Sequence, residues 1–268
     1  MCRIAAYLGR DETSLSSLTL EPGHSLLVQS YAPKEMLSGV VNVDGFGCGW
    51  YAPEVDPEPA VYRSNAPMWA DRSFASIAPR VLSRTMLAAV RSATPGLPAE
   101  ESGVPPFASG PYLFAHNGAI QNFRRSAMRP LRDALSDKSY SGLLGVTDSE
   151  TVFALLLDRL RARGAEVGDA TALAEAVVET LGKVSAICED LNVPATLNVG
   201  VTDGEAMVFS RYSTEGPGNS LYLLENGRSS PDAVLVASER FDDDPGWRAV
   251  PDRHLLVADP GGVTLRQL

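Results

Sequence analysis

Cysteine, histidine and positive charge are all scarce in this chain, and each scarcity removes a class of function. Three cysteines (Cys2, Cys48, Cys188) and three histidines (His24, His116, His254) are scattered over 268 residues. None of them pair at ligand spacing, so neither a metal centre nor a disulfide framework is expected. Unpaired thiols fit a reducing, cytoplasmic setting. Lys and Arg number 23 against 33 Asp and Glu, a formal net charge of −10. That balance argues against nucleic acid as a partner, because phosphate neutralisation needs clustered cations. No stretch reaches the ~18 consecutive apolar residues of a membrane span, and no charged-then-apolar leader opens the sequence. Internal repeats and a phosphate-binding loop with Lys-Ser/Thr are also missing.

What is present is a hydrophobic fraction of 44%, ample for a sizeable core. Strand-like runs occur at Met86–Val90, Tyr112–Ala115, Ala195–Thr202, Ala206–Tyr212, Ser220–Leu224, Ala233–Ala237 and His254–Ala258. Asp203-Gly204 between the third and fourth predicts a hairpin. One helix is expected from about Ser149 to Gly164, with Val152, Leu155, Leu156 and Leu160 on one face. A second runs from about Thr171 to Leu191, striped by Leu173, Val177, Leu181, Val184, Ile187, Cys188 and Leu191. Pro- and Gly-containing stretches at 52–59, 94–106 and 214–219 read as loops within a domain rather than linkers. Strands at both ends with a helical pair between them suit a layered α+β sandwich better than alternating βαβ units.

Chemistry concentrates at the N-terminus. Cys2 follows Met1, and a small second residue allows methionine removal, so a chain starting at Cys2 is expected. A thiol and an α-amine on one residue, titrating near ~8.5 and ~7.7–8.0, can exchange a proton at neutral pH. On the dipeptide alone, Cys2 could equally be a small buried hydrophobe. Four further segments bear on the choice. Gly45, Gly47 and Gly49, set among Phe46, Trp50 and Tyr51, suggest a strand closely approached by another backbone, with Cys48 a packing residue. Arg91-Ser92-Ala93-Thr94 follows a buried strand, where a guanidinium fork either pairs with an acid or captures a carboxylate. After Tyr112–Ala115 comes His116-Asn117-Gly118, either an ordinary Asn-Gly turn or a two-donor pocket for an oxyanion. There His116 reads as a hydrogen-bonded structural residue. Thr147-Asp148-Ser149-Glu150 opens a helix, and with Ser149 as the cap, Asp148 is left to face a pocket.

In this order the segments resemble the class II glutamine amidotransferase family of N-terminal-nucleophile hydrolases. The resemblance runs from Cys2 to about Glu150, with Ala237-Ser238-Glu239 similar to the family's closing strands. It implies a four-layer αββα sandwich in which residues 2–268 form one domain, and it calls for no cofactor. It also implies that Cys2 attacks a γ-glutamyl amide, Arg91 holds the α-carboxylate, Asp148 the α-ammonium, and Asn117 with Gly118 the oxyanion. A narrower likeness rests on Met1-Cys2-Arg3, His24-Ser25-Leu26-Leu27, Asn42-x-Asp44-Gly45-Phe46-Gly47, Trp69-Ala70-Asp71-Arg72-Ser73-Phe74 and Arg91-Ser92-Ala93-Thr94-Pro95-Gly96. These are similar to the branch that removes glutamate from γ-glutamyl-hercynylcysteine sulfoxide in ergothioneine biosynthesis, although Ile4 stands where a His is common. Under that likeness Trp69, Asp71 and Arg72 are candidates for reading the leaving group, Trp69 by cation–π attraction to a trimethylammonium. The partner expected is this small molecule alone. The alternative is a glutaminase-type amidotransferase that passes ammonia to a separate protein.

Overall fold

A computed structural model describes residues 2–36, 39, 41–93 and 100–268. Two antiparallel sheets lie face to face, each covered by helices on its outer side, which is the four-layer α+β sandwich expected. The first sheet takes strands from both ends of the chain: β1 (Arg3–Ser14), β2 (Phe46–Ala52), β3 (Asp56–Ser64), β4 (Leu82–Val90), β9 (Tyr222–Gly227), β10 (Ser230–Ala237) and β11 (Arg248–Ala249). Their spatial order is β11-β9-β10-β1-β4-β2-β3, so β1 is central. The second sheet contains β5 (Phe107–Ser109), β6 (Tyr112–Ile120), β7 (Ala195–Thr202), β8 (Met207–Arg211), β12 (His254–Asp259) and β13 (Gly262–Gln267). Its order is β13-β12-β8-β7-β6-β5.

Alternation along β1 divides the core. Ile4 and Ala6 face the second sheet, joining Leu113, Ala115, Phe209 and Leu256 between the layers. Ala5 and Tyr7 face outward, under α1 (Leu15–Thr19), α2 (Leu26–Tyr31) and α3 (Arg72–Ile77). The other outer layer is longer-helixed: α4 (Met128–Asp133), α5 (Asp137–Ser141), α6 (Asp148–Arg163) and α7 (Ala170–Asp190). Phe114 stacks on Phe153 of α6 at 5.0 Å, and each such buried side chain contributes roughly 1.5–3 kcal/mol. Among the described residues no helix is long and apolar enough to cross a membrane.

The two long helices match their periodicity. Val152, Leu155, Leu156 and Leu160 are buried, and Gly164 closes α6 at φ 62°. On α7, Leu173, Val177, Leu181, Val184 and Cys188 are buried, but Leu191 is the exposed C-cap. The stretch 52–59 departs from expectation, because Asp56–Pro59 belong to β3. β3 is the edge of its sheet, where proline leaves no ladder bond unmade. His116, Asn117 and Gly118 likewise lie inside β6, not after it. Close backbone approach at the glycine-rich strand is borne out: a Cβ on Gly47 would sit 2.3 Å from the Pro105 carbonyl oxygen.

Candidate active site

At the start of β1 and the end of β4, a pocket gathers residues from five parts of the chain. Cys2, Arg91, Ser92, Gly103, Pro105, Phe107, His116, Gly118, Thr147, Asp148 and Ser149 line it. Cys2 is half-buried and free of disulfide. By contrast, burial lifts the thiol of Cys188 to about 11 and that of Cys48 higher still, which leaves both as inert packing groups. Arg91 is buried; its Nη1 reaches the Glu100 carbonyl at 3.4 Å. Its backbone is fixed on both sides, N–H to the Gly45 carbonyl at 2.8 Å and carbonyl to the Asp44 N–H at 3.2 Å. The Asp44 side chain accepts from the Ala93 N–H at 2.7 Å, so it supports the loop that carries Arg91. Thr94 lies outside the described residues.

Asp148 occupies the first turn of α6, whose cap is Thr147 and not Ser149: Thr147 Oγ1 accepts from the Glu150 N–H at 3.1 Å. The reason is positional, since the cap must precede the residue whose N–H it accepts by three. Asp148 is therefore free of capping, as its expected role requires. Its Oδ1 accepts from the Ser149 N–H at 2.8 Å and its Oδ2 from the Ile120 N–H at 2.9 Å.

That second bond exposes a feature of β6. The short strand β5 pairs only as far as Phe114, so beyond it, among the described residues, no strand pairs with that edge of β6. Amide N–H groups alternate sides along a strand. Gln121 N–H points towards the β7 side, to the Pro194 carbonyl, and Ile120 N–H points to the open side, where Asp148 covers it. Gly118, two residues earlier, has the same parity, which directs its N–H towards the open edge beside the pocket. A Cβ on Gly118 would lie 1.9 Å from the Thr196 carbonyl oxygen, so only glycine fits there.

His116 is held by two bonds, Nε2 to the Thr196 carbonyl at 2.9 Å and Nδ1 to Ser149 Oγ at 3.0 Å. A carbonyl only accepts, so Nε2 carries a hydrogen. The imidazole thereby braces β6 against α6. Asn117, of opposite parity, points between the sheets with Ala115 and is buried there.

The three candidates for leaving-group recognition do not line this pocket. Asp71 caps α3, accepting from the Phe74 N–H at 2.9 Å, and takes the Tyr62 hydroxyl at 2.6 Å. Burial alone would raise its pKa; the hydrogen bonds from Tyr62 and Phe74 pull it below the usual value. Both of its carboxylate oxygens are engaged in the fold. Arg72 is exposed at the start of α3. Trp69, also exposed, meets Tyr31 edge-on at 5.9 Å. This corner follows β3 at the same end of the sheet as Cys2, since Arg3, Val90, Phe46 and Ser64 form one row across it.

The residue after Cys2 is anchored by a buried charge cluster. Arg3 is fully buried with Nε 3.1 Å from Glu239 Oε1, while His24 Nε2 lies 2.7 Å from Oε2. Lys34 and Glu35 donate their N–H groups to the same carboxylate at 2.8 and 3.0 Å. Burial pushes the Glu239 pKa up, but the bonds from His24, Lys34 and Glu35 and the Arg3 charge bring it below the ordinary glutamate value of 4.5. The three guanidinium nitrogens lack an aligned hydrogen bond, so the Arg3 pairing is electrostatic. Glu239→Ala should lower stability by about 3–5 kcal/mol in urea titrations, because it strands a buried cation. A depressed carboxylate stabilises above its unfolded pKa, and that stabilisation disappears as pH falls through the folded value. Wild-type stability should therefore drop on the acid side of 4.5, and Glu239→Gln should flatten that limb.

The thiol, the guanidinium, the carboxylate and the edge N–H can together hold a zwitterionic α-amino-acid head and place an acyl carbon at sulfur. Comparison with known proteins bears on the family. A family model described as class II glutamine amidotransferases matches residues 21–224. A "gamma-glutamyl-hercynylcysteine sulfoxide hydrolase" of Mycolicibacterium smegmatis is 38% identical, with all of both chains covered. The protein of that name from Mycobacterium tuberculosis H37Rv is 39% identical over all of this chain and 97% of its own. Among solved structures, a class II domain protein from Silicibacter pomeroyi superposes with a TM-score of 0.71 at 23% identity, covering 100% of this chain and 99% of that one. The chain belongs to the class II glutamine amidotransferase family.

Proposed function

We propose that this protein hydrolyses the γ-glutamyl amide of γ-glutamyl-hercynylcysteine sulfoxide, releasing glutamate. The observation that carries the reading is the convergence of Cys2, Arg91, Gly118 and Asp148 on one pocket. Two full-length relatives bearing that hydrolase name support the substrate. Arg91 takes the substrate α-carboxylate and Asp148 its α-ammonium, so opposite charges fix the glutamyl head and aim the γ-carbonyl at sulfur. With the chain starting at Cys2, the α-amine accepts the thiol proton as sulfur bonds to the carbonyl carbon of the γ-glutamyl amide and the C=O π pair moves onto oxygen. The oxyanion is met by the Gly118 N–H and the Asn117 amide. The C–N bond then breaks, the proton passes to the leaving amine, and a γ-glutamyl thioester remains. Water adds to it, the C–S bond breaks, and glutamate departs with the thiol restored. Trp69 and Tyr31 offer aromatic faces to the trimethylammonium of the leaving group. The three free thiols support a reducing, cytoplasmic setting for the reaction.

Turnover of the sulfoxide conjugate against free glutamine tests this directly. A kcat/KM at least about 100-fold higher for the conjugate is expected, since contacts beyond the amide contribute only there. Faster glutamine hydrolysis, stimulated by a partner protein, would establish the ammonia-donor reading instead.

A further inference from the structure

A buried polar chain crosses the apolar layer between the sheets beside Cys2. Asn198 on β7 donates from Nδ2 to the Asn219 carbonyl at 2.7 Å. Asn219 Nδ2 donates to the Asn117 backbone carbonyl at 2.8 Å and lies 3.2 Å from Asn117 Oδ1. Asn117 Nδ2 in turn donates to Ser238 Oγ at 3.2 Å, and Ser238 Oγ also accepts from the Ile4 N–H at 2.9 Å. All four side chains are buried.

This chain decides which way the Asn117 amide faces. A backbone carbonyl can only accept, so the Asn219 atom against it must be the NH2 group. The Asn117 atom facing that NH2 must then be oxygen. Its own NH2 is consequently turned to Ser238, whose oxygen is tied to Ile4, two residues from the nucleophile. One Asn117 N–H is used by Ser238, which leaves a second N–H to donate.

We infer that Asn219 and Ser238 are positioning residues that lock the Asn117 amide in its donor orientation for the oxyanion. The inference rests on the oxyanion role proposed for Asn117. Neither residue touches the substrate; each acts through Asn117. The arrangement supplies preorganisation, since a donor already oriented needs no rotation when charge develops on oxygen. The same bonds also satisfy buried polar groups, so the test must separate orientation from stability.

Asn219→Asp keeps the size but replaces the NH2 group with an acceptor. Asn117 should rotate its amide to donate to the introduced carboxylate, which turns its oxygen to Ser238 and removes the donor. The expected result is a fall in kcat of about 10²-fold with KM within about twofold, and an unchanged rate of Cys2 alkylation by iodoacetamide. Ser238→Ala should lower kcat about 10-fold, and Ser238→Thr, which keeps the oxygen, should recover most of it. Asn117→Ala is measured in parallel. Wild-type kcat in Asn219→Asp and Ser238→Ala, with Asn117→Ala impaired, overturns the positioning role alone. Wild-type kcat in all three overturns the oxyanion reading beneath it. Losses shared between kcat and KM with slowed alkylation show a merely structural role and also overturn the inference. If Asn219→Asp does not fold, the Ser238→Ala and Ser238→Thr pair decides.

Discussion

Cys2→Ala should abolish hydrolysis, lowering kcat by about four to six orders of magnitude, while the fold survives. The size of the loss follows from the geometry. Cys2 has the inward parity of Ile4 and Ala6 on the central strand, and it lines the pocket with Gly118 and Asp148. No other thiol can replace it. Cys48 and Cys188 are fully buried, and burial holds both protonated. Retained folding is expected because the cluster that anchors the start of β1 uses Arg3 and Glu239, not the thiol. Unfolding curves matching wild type, with no turnover and intact substrate binding by calorimetry, are the predicted pattern. Turnover at the wild-type rate would eliminate the thioester mechanism. Intact mass adds a second check, since a chain retaining Met1 has no α-amine on Cys2 to accept the proton.

Much of this was legible in the sequence where signals are local. The Asp203-Gly204 hairpin joins β7 to β8, and the apolar stripes of α6 and α7 bury as their spacing predicts up to Cys188, with Ile187 partly buried and Leu191 exposed. β3 was not legible, because Pro57, Pro59 and its acidic residues mark a loop unless the strand is known to be an edge. His116-Asn117-Gly118 carried a turn signal that lost to tertiary context: β7 pairs with the whole segment, Asn117 opposite Asn198. Asp71 carries a local signal as well. A resemblance suggested substrate recognition, but its position three residues before Phe74 is a capping position, and the local bond is made.

Within the site, Cys2, Arg91, Gly118 and Asp148 came from motifs, each with its own strand end or helix start. Ser238 and Asn219 as partners of Asn117 could not be found this way. They lie 121 and 102 residues away in sequence, and neither residue type advertises a buried network. Register between sheets creates those contacts, and a single sequence without strand pairing does not encode it visibly.

Arg91→Ala should reduce kcat/KM for the γ-glutamyl conjugate by about three orders of magnitude, expressed chiefly in KM. Losing one partner of a desolvated charge pair costs roughly 2–5 kcal/mol, and about 1.4 kcal/mol is a factor of ten. Arg91 is 4% exposed, so little water is present to replace the guanidinium. Its surroundings also restrict the fork: a Cβ on Gly103 would fall 2.8 Å from Nη2, so the guanidinium packs closely against that glycine. Arg91→Lys keeps the charge without the fork and should recover only part of the loss. The backbone bonds to Asp44 and Gly45 involve main-chain atoms and persist in both variants. The discriminating measurement uses a substrate lacking the α-carboxylate, a γ-aminobutyryl amide of the same leaving group. Wild type should disfavour it by about the same three orders of magnitude, whereas Arg91→Ala should treat both substrates nearly alike. If the variant still prefers the carboxylate by the wild-type margin, that group is bound elsewhere. If it loses activity on both substrates equally, Arg91 shapes the pocket without gripping the substrate.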